Sequence, residues 1–358
     1  MSSYDYNSEN LLNFSEDKIM QTEQFSYGSD LSGLICGYVF EPNFPGQVLH
    51  TKEALQWLQA HNDQTDESFI WLHFNLSNVS AEKWLKHNLD LSEKFYETLH
   101  EGSRSTRIEL ADHHLIAVIN DVLHDFAFEA SDIATLWLNV SSNVMVSARL
   151  KPLKSVDRLR NAVNLGEVFQ SPAELLTHLL RDQADVLIAI VRNAIKKVDL
   201  IEDTLLADRL NTKRANLGEH RRVLVRLQRL LAPEPAALFR LLHSPPAWVS
   251  ENDVQELRQS TEEFSVVLSD MVSLQERIKL LQEEIAASVN EQNNRSLYVL
   301  TIVTVLALPI NIIAGLLGMN VGGIPLAQHE YGFWIVAAIV ATFTVIAAWL
   351  VVKNNTRD

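Results

Sequence analysis

The side chains best placed for chemistry lie in the last fifth of the chain. Asn290, Asn293, Asn294, Leu297, Leu300, Thr304, Leu308, Asn311 and Gly315 follow one another at helical spacing, so on a helix they share one face. That face mixes amide and hydroxyl groups with leucines and carries no charge. A divalent ion stripped of water needs several oxygen ligands, whereas amides and hydroxyls can hydrogen-bond an ion that keeps its hydration shell. These residues fit the second chemistry, and they also fit hydrogen bonding between packed helices. Beyond the face stand Gly318-Met319-Asn320, then Val321-Gly322-Gly323-Ile324-Pro325, then His329-Glu330. Imidazole suits borderline-soft ions such as zinc, and a carboxylate raises the local cation concentration. A solvent-exposed loop pair with no ligand role is the plainer reading of those last two.

The elements that must position these groups follow from hydropathy. No charged residue occurs between Arg295 and Glu330, and Leu297 to Leu317 gives about twenty mostly apolar positions, enough to cross a hydrocarbon layer of ~30 Å. Phe333 to Val352 is a second such block, with Trp334 and Trp349 near its ends and Lys353 and Arg357 after it. Spans are therefore expected at 297–317 and 332–352, joined by a loop at 318–331 and followed by a tail at 353–358. The loop lacks Lys and Arg while Arg277, Lys279, Arg295, Lys353 and Arg357 flank the spans, which places both termini in the cytoplasm. Two helices cannot enclose a wet path, so conduction by this chain would require several copies around an axis.

Upstream, Ser250 opens a helix that no proline or glycine interrupts before Pro309, giving a stalk at 250–296. Phe264, Val267, Met271, Leu274, Ile278, Leu281 and Ile285 alternate at spacings of three and four, the seam of helices packed side by side. Self-association is one partner for that seam, and the chain's own helices are the other. Residues 171–249 read as a helical hairpin: Ser171-Pro172 starts a helix running to about Asp208, a second covers about Lys213 to Leu231, and a proline-broken segment from Pro233 to Pro246 follows. Within 25–170, apolar runs at Leu31–Phe40, Phe69–Phe74, Ile116–Val122, Ile133–Val140 and Val144–Ala148 predict strands. Helical periodicity lies between them at Lys52–Ala60, Ser80–Lys86 and Ser92–His100, so the domain is expected to be α/β with a mixed sheet and a hairpin over Ile133–Ala148. Residues 1–24 are polar and acidic, without a signal-peptide pattern, and are expected to be a loose tail.

Composition excludes several functions. A net charge of −15 opposes nucleic-acid binding and suits cations. The lone Cys36 permits neither an intrachain disulfide nor a cysteine-based zinc site. His113-His114, read as adjacent on a strand, point to opposite faces and cannot easily chelate one ion, and His124-Asp125 is an ordinary strand end. Asp199, Glu202, Asp203 and Asp208 read as a solvated helix face. No phosphate-cradling glycine loop, paired-histidine zinc motif or activated nucleophile is visible, so no enzyme is expected.

Gly318-Met319-Asn320 between two C-terminal spans, after a long helix carrying Pro309, resembles the signature of the CorA superfamily of divalent-cation transporters. The continuation Val-Gly-Gly-Ile-Pro is more similar to the zinc-linked ZntB branch than to the magnesium type, whose loop carries acids near the asparagine. The resemblance implies an α+β membrane protein: a homopentamer with a cytoplasmic funnel domain, a stalk helix continuing as the pore helix, and an outer second span. It implies that Gly318, Met319 and Asn320 select the cation, with Asn320 meeting the hydrated metal, and that the protein resides in a bacterial inner membrane. Zinc is the expected substrate, with magnesium, cobalt or nickel as the alternative and a membrane-anchored sensor as the reading from another class. The implied partners are further copies of the chain, membrane lipid and divalent metal ions. No cofactor is expected beyond the transported cation. The spans hold no acid or histidine, so any coupling to protons would act outside the hydrocarbon.

Overall fold

The computed structural model describes residues 28–61, 67–101, 105–129, 131–206, 214–319, 322–325 and 329–355. Within them the strands are β1 (Leu34–Phe40), β2 (Gln47–Val48), β3 (Phe69–Asn75), β4 (Arg107–Ala111), β5 (His114–Val122), β6 (Ile133–Val140) and β7 (Val144–Arg149), of which β3, β5, β6 and β7 are rich in β-branched and aromatic residues. The helices are α1 (Thr51–Ala60), α2 (Val79–Asn88), α3 (Glu93–His100), α4 (Lys154–Asn164), α5 (Pro172–Leu206), α6 (Arg214–Leu231), α7 (Pro233–His243), α8 (Glu251–Leu317) and α9 (Gly332–Asn355). The chain divides into two units at Leu280 and Leu281, and α8 crosses the division.

The first unit is built on a seven-stranded sheet in the order β2-β1-β3-β7-β6-β5-β4. Its β3–β7 pair is parallel, with Ile70 opposite Val144, and the other pairs are antiparallel. The mixed sheet and the hairpin over residues 133–148 match the sequence expectation. Alternation along each strand separates two cores. Phe40, Phe69, Trp71, Leu136 and Leu138 pack with Leu159 of α4 and Leu175 and Leu179 of α5. Ile70, Leu72, Phe74 and Val146 pack with Leu85 of α2 and Phe95 of α3 on the opposite face.

Four expectations need correction. The edge strand β4 and the helix α4 were not read as elements, because each is short and much of its surface is polar. The segment after Pro233 is a helix, not a break: Pro233 sits in its first turn, where the missing N–H has no helical partner to lose. His113 is not on a strand. Asp112 and His113 form the left-handed turn between β4 and β5, at φ of 51° and 67°, while His114 opens β5 and its Nδ1 meets Asn139 Oδ1 at 2.8 Å. On the seam of α8 the chain's own helices are the partner for part of the length, one of the two readings the spacing allowed, and the correction there concerns the acids of α5. Phe264, Val267, Met271, Leu274 and Ile278 are buried within a single chain. Beside them Arg277 holds Asp199 at 2.8 Å and bonds Glu202, both on α5, so these acids are ion-paired and not merely solvated. Asp203 is exposed, and Asp208 lies outside the described residues.

Where α5 and α7 meet the sheet, two carboxyl groups are buried. Asp121 on β5 accepts from the Ser155 amide at 3.0 Å and the Val122 amide at 2.7 Å. Glu234 on α7 accepts from Gln183 Nε2 at 3.2 Å, and the same amide nitrogen donates to the Asn120 carbonyl at 2.7 Å. Burial pushes the Glu234 carboxyl up to about 8, against the Gln183 bond and with help from Asp121. Burial likewise raises Asp121 to about 6, against its Ser155 and Val122 donors.

The folded chain therefore keeps a proton on Glu234 that the unfolded chain releases, so this contribution to stability is lost as pH rises from the ordinary carboxylate range toward about 8. Glu234→Gln should stabilise the protein by on the order of a few kcal/mol at about pH 9, with the gain vanishing near pH 4. Unfolding midpoints of both forms across that range measure it, and a constant difference would refute the buried proton.

Candidate ion pathway

Every position of the predicted face is solvent-exposed in the single chain: Asn290, Asn293, Asn294, Leu297, Leu300, Thr304, Leu308, Asn311 and Gly315. They lie on α8 at spacings that keep them in one stripe. The apolar members are largely uncovered, with Leu297 60%, Leu300 62% and Leu308 57% exposed. The remaining faces of this stretch are no better covered, since Val299, Val303, Val305, Ile312 and Leu316 are also more than half exposed. A helix that is apolar all round and buried nowhere belongs in a non-aqueous medium or against other chains. Among the described residues α8 is long and apolar enough to cross a membrane. Helix α9 has 24 residues, and its described apolar stretch is Gly332–Ala347.

The polar groups on the face are arranged as acceptors. Thr304 Oγ1 donates to the Leu300 carbonyl at 2.8 Å, and Thr301 does the same to Leu297 at 2.8 Å. Each hydroxyl spends its proton on its own helix and presents lone pairs outward, which suits the hydrogens of a metal-bound water. The Asn311 side chain makes no hydrogen bond among the described residues, so its amide oxygen is open. Pro309 lies inside the helix without an N–H, which leaves the Val305 carbonyl without its helical donor one turn earlier. Thr301 and this carbonyl were missed in the sequence, although the threonine's position one turn after Leu297 was a usable signal.

The helix ends at Leu317, and Gly318 N donates to the Ala314 carbonyl at 2.9 Å. A Cβ at Gly318 would meet that same carbonyl oxygen at 2.9 Å, so the close turn requires glycine. Met319 is 50% exposed. Asn320 and Val321 lie outside the described residues. Gly323 is left-handed, at φ 94°, where the chain turns. His329 and Glu330 are exposed; His329 Nδ1 accepts from the Tyr331 amide at 3.2 Å and its carbonyl from Gly332 at 3.0 Å, so the histidine trims the start of α9. Among the described residues no three metal-ligating side chains gather as a chelating site.

A mixed-sheet unit whose last helix runs on into an uncharged, uncovered apolar segment is the build of a membrane-embedded protein. Residues 66–353 match the CorA-like Mg2+ transporter protein family, and the chain belongs to that family. It is 29% identical over 326 residues to the divalent cation transporter CmaX of Pseudomonas aeruginosa, covering 90% of this chain and 96% of that one. The structure of full-length CmaX superposes with a TM-score of 0.77 at 27% identity, over 91% of this chain and 98% of that one. The zinc transport protein ZntB of Yersinia enterocolitica is 23% identical over 286 residues, 80% of this chain and 87% of that one. The complete CorA magnesium transporter of Methanocaldococcus jannaschii shares the fold, with a TM-score of 0.67 at 18% identity over 88% and 96% of the two chains. These relatives are transporters and not enzymes.

If the stripe faces water and the opposite side faces lipid, single cysteines will separate them. In a Cys36→Ser background, Leu297→Cys, Thr304→Cys and Asn311→Cys should react with a water-soluble thiol reagent much faster than Val299→Cys, Val303→Cys and Ile310→Cys. Equal labelling of the two sets would remove this face as a water path.

Proposed function

We propose that this chain transports divalent cations, zinc foremost, across a bacterial inner membrane through a pore lined by α8 from five copies. The observation that carries the reading is the uncovered face of α8, in which acceptor groups alternate with leucines and end at Gly318-Met319. Around an axis, each amide or hydroxyl becomes a ring of acceptors that a hydrated ion can bond without losing its water. The leucine rings between them oppose passage until they separate, a hydrophobic gate. Asn320 is the first ring the ion meets at the outer mouth. Helix α9 forms the outer layer against lipid, and both termini lie in the cytoplasm.

Zinc is favoured by the Val-Gly-Gly-Ile-Pro continuation after Asn320, which lacks the acids of the magnesium type, and by the similarity to ZntB. The family's own description favours magnesium as the second reading.

Purified protein in liposomes containing a zinc-sensitive dye should pass zinc, and Asn320→Ala should slow that flux about tenfold, as expected for losing hydrogen bonds of ordinary strength to the ion's water. Unaltered flux in the variant contradicts the role of Asn320. Magnesium, cobalt or nickel outcompeting zinc transfers the substrate assignment, and flux with and without an imposed pH gradient reports any coupling to protons.

A further inference from the structure

On the first unit, the loop between β5 and β6 closes a cavity of about 390 Å³ against α4 and α5. Its polar lining is Lys154 and Arg158 from α4 and Asn193 and Lys197 from α5, and Phe126 and Phe128 supply aromatic walls. No carboxylate lines it among the described residues, in a chain whose net charge is −15. Asp182 and Asp185 offset Arg158 in part, which leaves the charges of Lys154 and Lys197 without a carboxylate beside them among the described residues.

The two lysines have no carboxylate partner among the described residues, and Arg158 is held only by long ion pairs. Arg158 has Asp182 at 3.8 Å and Asp185 at 3.9 Å, both beyond hydrogen-bond length. Lys154 has neither an ion pair nor a side-chain hydrogen bond among the described residues. The Lys197 ammonium lies 5.2 Å from the centre of the Phe128 ring and meets no carboxylate there. The aromatic wall is held in place at a cost. Phe128 adopts φ 66°, a left-handed backbone that a bulky residue seldom takes and that clusters at binding sites. Asp132 Oδ2 fixes that loop by accepting from the Ala127 and Glu129 amides at 2.9 and 3.0 Å. Phe126 meets Phe128 edge-on at 5.7 Å, and His220 of α6 packs on Phe128 at 4.9 Å.

We propose that this cavity binds a nucleoside polyphosphate. Lys154 and Lys197, with Arg158 where it turns from its long ion pairs, offer charge-assisted hydrogen bonds that a polyphosphate satisfies and a single carboxylate does not. The phenylalanine rings and the apolar side of α5 accept a flat base, and the Asn193 amide supplies a donor and an acceptor to its edge. The volume is within the range of small-molecule sites. A lipid headgroup or inorganic polyphosphate would share the phosphate chemistry but leave the aromatic wall unused.

The test is calorimetric titration of the full-length protein in detergent with ATP, inorganic tripolyphosphate and glycerol 3-phosphate, without divalent metal. The expected result is saturable ATP binding, weakened about tenfold by Lys154→Gln and by Lys197→Gln. Phe126→Ala should weaken ATP by about tenfold and leave tripolyphosphate unchanged. These are surface or half-buried positions, and circular dichroism confirms that each variant is folded. Absence of saturable ATP binding, or ATP binding indifferent to both lysine variants, overturns the site. Tripolyphosphate binding as tightly as ATP, or glycerol 3-phosphate binding more tightly, overturns the nucleoside and assigns the cations to a simpler phosphate.

Discussion

In hydrocarbon a backbone amide has no water to bond, and each one left unpaired costs several kcal/mol. The segment of α8 from Ser296 to Leu317 meets that constraint by staying helical, and its composition leaves almost nothing else for the medium to satisfy. The side chains that could compete with the backbone are disarmed locally: Thr301 and Thr304 bond carbonyls one turn back. The exceptions, the Val305 carbonyl freed by Pro309 and the Asn311 amide two residues beyond it, stand out because the rest of the segment is self-sufficient. Polar groups with nothing to do within their own helix are the ones available to a passing ion or to a neighbouring copy.

The first unit meets the opposite problem, polar groups enclosed by a sheet that is covered on both faces. Its solution is pairing. Thr135 and Thr106 bracket the Asn120 amide at 3.4 and 3.2 Å, and Trp71 and His73 share the Ser147 hydroxyl at 2.8 and 2.7 Å. Arg149 Nε donates to His73 Nε2 at 3.0 Å, and burial together with that guanidinium holds the imidazole neutral, well below its usual range. The arrangement is consistent at each step: a neutral histidine can accept from a cation, and a charged one could not.

Legibility from sequence tracked how strongly one physical signal dominated each element. The apolar segments of α8 and α9 were readable because hydropathy over some twenty positions has few competing explanations. β3, β5, β6 and β7 were readable because their β-branched and aromatic runs are long. β4 was not, since it is five residues long, with Arg107 and Glu109 alternating with Ile108 and Leu110 at an edge whose partner, β5, is visible only in three dimensions. The stripe of α8 could be drawn from period alone, but period could not tell which seam the chain's own helices would claim. Arg277, reaching Asp199 and Glu202, decides that for the stretch ending at Ile278. The cavity beside Phe128 gave no motif at all, because its cations come from two helices and its rings from a loop.

The position of Leu257 in the larger core has a consequence for biogenesis. The parallel pairing of β3 with β7 waits for the long stretch between them, and the same core then needs Leu238, Leu241 and finally Leu257 before it closes. All of these leave the ribosome ahead of Ser296, at which the water-averse stretch begins. Domains formed early in synthesis fold as units while the remainder is still being made. The order of residues thus lets the water-soluble part finish itself first, so that the sticky remainder emerges tethered to a completed body and not to an open chain with which it could collapse.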